Sequence, residues 1–129
     1  MRCGLIAVGF IGLLAIPAAA QEELSGEALK AAVSGRTVHL DTPVGTLPIV
    51  YASNGLLVGR GGGLGHYLGA SEDKGRWWIS GAQLCQRWTV WLDAVTHCYK
   101  FRRSGDRVHW QRGDGRTGTA RIGAQATGG

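Results

Sequence analysis

Hydrophobic and polar positions follow three rhythms along the chain. From Cys3 to Ile16 the sequence is uncharged and built of apolar residues and glycine. Between Glu27 and Val33 the apolar residues recur at helical spacing. Beyond Gly35 that period gives way to short runs rich in β-branched and aromatic residues, separated by turn residues.

The middle rhythm predicts one short helix over about 26–33. Ser25 stands where an N-cap is wanted, Glu27 suits the positive end of the helix dipole, and Gly35 supplies a left-handed stop. The third rhythm predicts strands near 36–41, 47–52, 56–59, 76–80, 83–91, 96–103, 107–111 and 117–122. Pro43-Val44-Gly45, Ser53-Asn54-Gly55, Gly81-Ala82, Asp93-Ala94, Ser104-Gly105-Asp106 and Gly113-Asp114-Gly115 punctuate them. Such spacing leaves no room for crossover helices, so consecutive strands must pair antiparallel. The expected fold is all-β: a meander of about eight strands forming a small barrel or half-barrel, with a two-sheet sandwich as the alternative. Residues 21–129 form a single domain whose tail, 123–129, is expected to fray. Gly59-Arg60-Gly61-Gly62-Gly63-Leu64-Gly65 lacks the spacing of a phosphate-binding loop. It reads as a mobile connection, with a backbone anion nest around Arg60 as the alternative.

The first rhythm changes the compartment. Arg2, the apolar stretch, the helix breaker Pro17 and then Ala18-Ala19-Ala20 before Gln21 follow the order of a secretory signal. Residues 1–20 are therefore expected to be removed near Ala20, the apolar stretch falling short of the roughly 20 residues of a membrane span. Cys3 leaves with them, and the mature chain has no transmembrane segment. Cys85 and Cys98 remain, and in an oxidising compartment an even count predicts a disulfide. The full chain carries 14 Lys and Arg against 9 Asp and Glu. That basic balance suits an anionic partner, and outside the cell a polysaccharide, lipid headgroup or acidic protein comes before nucleic acid.

Opposing Cys85 and Cys98 fixes a register. Leu84 then faces Tyr99, Gln86 faces His97 and Trp88 faces Val95. One face collects Leu84, Trp88, Val90, Val95, Tyr99 and Phe101, which must be buried. A two-residue turn at Gly81-Ala82 sets Ile79 opposite Leu84, Trp77 opposite Gln86, and Trp78 opposite Cys85, where it covers the disulfide. A turn centred on Ser104-Gly105 sets Phe101 opposite Val108, Tyr99 opposite Trp110 and Arg102 opposite Arg107. Two candidate sites emerge. Trp77, Gln86, His97 and Arg112 form a polar row within the apolar face, a satisfied core pair or the floor of a tryptophan-walled pocket. Arg87, Lys100, Arg102, Arg107 and His109 share the outer face, a solvated surface or a site for an anionic partner.

The four histidines show no metal-ligand spacing, no nucleophile elbow occurs, and no cofactor motif is found. The motifs Gly75-Arg76-Trp77-Trp78, Leu84-Cys85-Gln86-Arg87-Trp88 and Cys98-Tyr99, with the later Gly105-Asp106, resemble a family of short exported proteobacterial proteins. The resemblance covers most of the mature chain and implies a periplasmic β domain without implying a reaction. The leading expectation is a non-catalytic periplasmic binding or interaction module. Its rivals are a barrel holding an apolar or amphipathic ligand and a cryptic hydrolase using His97 or His66.

Overall fold

The turn residues join each strand to its neighbour, and the ring they generate closes. The computed structural model describes residues 21–125 together with Gly4 and Gly9. The signal-like segment otherwise lies outside the described residues, as does the end of the tail, 126–129. Strands β2 (Arg36–Thr42), β3 (Gly45–Tyr51), β4 (Leu56–Arg60), β5 (Glu72–Ser80), β6 (Gln83–Trp88), β7 (His97–Ser104), β8 (Arg107–Arg112) and β9 (Thr117–Gln125) each pair antiparallel with the next. Strand β9 then returns to β2, closing an eight-stranded up-and-down barrel. A short β1 (Glu22–Leu24) adds beside β7. Closure gives every strand in the ring a partner on both sides, whereas a half-barrel or sandwich would leave open edges.

Helix α1 (Gly26–Val33) buries Leu29, Ala32 and Val33 in the barrel core. It lies at the end where β2 begins and where β5 turns into β6. The Ser25 side chain makes no capping hydrogen bond. The helix start is tied down by its own backbone, Gly26 N–H donating to the Gly81 carbonyl at 2.8 Å. Gly35 takes the left-handed conformation expected of it, φ +71°, and donates to the Tyr51 carbonyl, which starts β2.

The central register holds as the disulfide required. Leu84 pairs with Tyr99, Cys85 with Cys98 and Gln86 with His97, while Trp77 pairs with Gln86 and Trp78 with Cys85. The two cysteines are bonded, and Cys85 is 1% exposed although it points outward. Gly75, from the Gly-x-Trp-Trp motif, has a backbone reason to be glycine: a Cβ there would lie 2.1 Å from the Arg87 carbonyl oxygen.

Other expectations are corrected. Strand β6 ends at Trp88 and β7 starts at His97, so Trp88 and Val95 do not pair. Val90 and Val95, placed in the core by alternation, are 49% and 53% exposed. Between β7 and β8 the turn is Gly105-Asp106, so Phe101 meets Trp110, Tyr99 meets Arg112 and Arg102 meets His109. That is a slip of two residues, and an even slip leaves every side chain on its face. Hydrophobic matching alone could not detect it. The glycine-rich connection folds as a 3-10 turn (Gly62–Leu64) followed by a one-turn helix, α2 (Gly65–Leu68). Its ends are clipped by Gly61 N–H donating to the Ser71 carbonyl at 2.7 Å. Strand β9 runs on to Gln125, past the point where fraying was expected, because it pairs with Arg36 beyond a register shift.

Candidate functional site: the barrel interior and its open end

Two sides of the barrel interior are packed differently. Beside β4, β5 and β6 the space is filled by Leu57, Trp77, Leu84, Trp88 and Trp91, all at most 5% exposed. Trp88 and Trp91 lie with ring centroids 4.6 Å apart, and Gly59 makes room for them, since a Cβ there would lie 2.1 Å from the Trp91 ring. On the side of β2, β3, β7, β8 and β9 the interior is not completely filled. A cavity of about 130 Å³ remains there, its apolar wall including Val38, Leu40, Ile49, Phe101 and Ala120.

Four polar side chains face this cavity. Tyr51 and Gln86 meet deep inside, the Tyr51 hydroxyl donating to Gln86 Oε1 at 2.7 Å. Burial pushes the Tyr51 pKa far up, with Tyr99 adding to it, so the phenol remains a donor. Tyr99 and Arg112, cross-strand partners, stand nearer the mouth. Burial raises the Tyr99 pKa against the opposing effect of the Arg112 guanidinium. Arg112 is clamped by Asp114 two residues on, Nε donating to Oδ1 at 2.9 Å and Nη2 to Oδ2 at 2.6 Å. That two-point contact holds the Asp114 carboxyl well below the usual carboxylate range.

The mouth is shaped by the connection from β6 to β7. Asp73, buried at 8% exposure, accepts the Lys74 N–H at Oδ1 and the Val90 and Trp91 N–H groups at Oδ2, at 2.7–2.8 Å. Trp91 is thereby pinned, its indole N–H donating to the Ala70 carbonyl. Leu92, Asp93 and Ala94 follow in left-handed conformation with φ of 53°, 57° and 53°. Non-glycine residues pay roughly 1–2 kcal/mol each for this, and Arg87 Nε helps hold the segment by donating to the Ala94 carbonyl. Leu92 consequently projects beside the cavity, 36% exposed. Val44, Tyr67, Val90 and Val95, in the connections at this same end, are also exposed apolar side chains.

The predicted polar row is thus partly assembled. Gln86 and Arg112 line the cavity. Trp77 does not: it is packed edge-on against Tyr51 and donates its indole N–H to the Ala52 carbonyl. His97 pairs with Gln86 in register but stands half-buried outside the lining. Arg112 sits opposite Tyr99, not His97, because of the two-residue slip. The tryptophan wall reduces to Trp110, whose indole packs over Gly118. The residues missed were Tyr51, Tyr99 as a polar group, and Leu92. Only the period-2 position of Tyr51 beside Ile49 and Leu47 signalled that it points inward.

The basic residues of the outer face are all exposed, yet they divide into groups. Lys100, Arg102 and His109 line a groove of about 560 Å³ with Glu23, Thr117 and Thr119, and Glu23 is the cross-strand partner of Arg102. Arg107 lies 3.8 Å from Asp41. Arg87 faces Arg76 on β5. The expected Arg102–Arg107 repulsion therefore does not arise as a direct pair. Among the described residues no cluster of His, Cys, Asp and Glu is placed to hold a metal ion. No family model, curated protein or solved structure matches the chain.

Proposed function

We propose that this is an exported, non-catalytic binding module whose barrel holds a small, largely apolar ligand in its interior. The observation that carries the reading is the cavity of about 130 Å³ with an apolar wall and a few convergent polar groups, the arrangement that ligand sites share. Exposed apolar side chains at the open end give a ligand a path from Leu92 inward, and α1 closes the other end. Export to the periplasm is supported by the signal-like N-terminus and by the Cys85–Cys98 bond. Crystals of the protein under xenon pressure test the reading, because xenon enters dry apolar cavities. Xenon should appear among Val38, Ile49 and Phe101. A lumen that stays empty while xenon binds elsewhere would contradict it.

The groove beside Lys100, Arg102 and His109 supports a second reading, an anionic partner such as a polysaccharide, lipid headgroup or acidic protein. Retention on heparin should then fall more for Lys100→Gln with Arg102→Gln than for Arg76→Gln with Arg87→Gln. Equal losses would leave net charge as the whole cause.

A further inference from the structure

The polar groups of the cavity are rich in hydrogen-bond donors. Tyr51 occupies one lone pair of the Gln86 carboxamide oxygen, and the Gln86 NH2, a donor, has no protein partner among the described residues. Arg112 has only donors. The Tyr99 hydroxyl stands beside the Arg112 guanidinium and keeps its proton at neutral pH, since burial raises its pKa. Trp110 forms another wall, and its buried indole N–H has no acceptor among the described residues. None of the residues lining the cavity is a carboxylate.

Charge and size narrow the class further. Asp114 already matches the Arg112 charge through two short contacts. An anionic guest would compete with Asp114 for the guanidinium and would carry its charge against the apolar wall of Val38, Ile49 and Phe101, which is costly. A cationic guest would meet Arg112 and donors alone. In volume the cavity is close to apolar cavities of about 150 Å³ that take one benzene ring.

We infer that the cavity selects uncharged single-ring molecules carrying one hydrogen-bond acceptor, the ring lying among Val38, Ile49 and Phe101 and the acceptor facing Gln86, Tyr99 and Arg112. The inference rests on the interior-binding reading above. A carbonyl on a ring is the simplest such group, accepting one or two of these hydrogen bonds while adding no charge.

Affinities of benzene, acetophenone, benzoate and benzylamine for the protein expressed from its full reading frame test this, measured by NMR titration. Acetophenone should bind about ten-fold more tightly than benzene, the gain of one well-made hydrogen bond. Benzoate and benzylamine should bind more weakly than acetophenone. Tyr51→Phe combined with Gln86→Leu removes the donor and its partner together. It should narrow the gap in affinity between acetophenone and benzene. If that double variant fails to fold, the ranking on the unaltered protein decides by itself. Equal affinities for benzene and acetophenone, or benzoate as the tightest binder, overturn the ligand class and leave interior binding standing. Failure of all four probes to bind overturns both.

Discussion

Tyr51 on β3 donates its hydroxyl hydrogen to Gln86 on β6 at 2.7 Å, making a buried polar contact inside the barrel. Tyr51→Phe would leave the Gln86 oxygen without that donor. We expect a loss of about 1–3 kcal/mol, the desolvation cost of an orphaned acceptor. Adding Gln86→Leu should recover much of the loss, since removing both partners is far cheaper than removing one. Urea unfolding of the two single variants and the double variant measures this. Additive losses would show that the two side chains act independently.

Asp73 anchors the mouth through three backbone donors. Asparagine keeps one acceptor and turns an NH2 toward N–H groups. Asp73→Asn should therefore cost about 1.5–3 kcal/mol, the range for hydrogen bonds to a charged group. Protease should also cut faster between Thr89 and Thr96 than in the unaltered protein. Unchanged stability and unchanged cleavage together would mean that the carboxylate is not what fixes Trp91.

The barrel was legible where covalent or turn geometry set the register, as in β5, β6 and β7. The disulfide and the Gly81-Ala82 turn each fix one pairing, and period 2 carries the rest. The β7–β8 register was not legible, since a two-residue slip costs no burial. The β6–β7 connection is not legible for another reason. Leu92 and Ala94 adopt left-handed conformations that their residue types do not announce, and Trp91 looks like one more strand residue until Asp73 is seen to hold its backbone. Half of the candidate site, Gln86 and Arg112, could be picked out as polar residues on an apolar face. The cavity itself depends on one side of the barrel holding three tryptophans and the other none but Trp110. That difference exists only once the ring has closed.

Ala94 carries a left-handed backbone with no glycine to ease it. Ala94→Gly should stabilise the protein by about 1 kcal/mol, because the Cβ penalty disappears. The entropy of a more flexible unfolded chain offsets part of the gain. Thermal unfolding of the variant checks the sign. A lowered midpoint would show that this segment is not strained.

His97 gives the stability a pH dependence. Burial, aided by the nearby Arg112 charge, lowers its pKa from the ordinary histidine value. Folded His97 thus binds a proton less readily than unfolded His97. Its contribution is present in full above the unfolded value of about 6.5 and declines as the pH falls below it, until the folded value is passed. The urea midpoint should be lower at pH 5.5 than at pH 7.5, and His97→Asn should shrink that difference. A difference of the same size in the variant would assign it to other groups.

Interior binding is the central claim, and the location of a bound probe tests it most directly. Benzene at saturating concentration should give intermolecular nuclear Overhauser effects to the methyl groups of Val38 and Ile49 and to the Phe101 ring, the residues that wall the cavity. Leu40→Trp, which places an indole in that space, should abolish them. Effects confined to Thr117 and Thr119 in the outer groove, or to the exposed valines of the rim, would contradict the account.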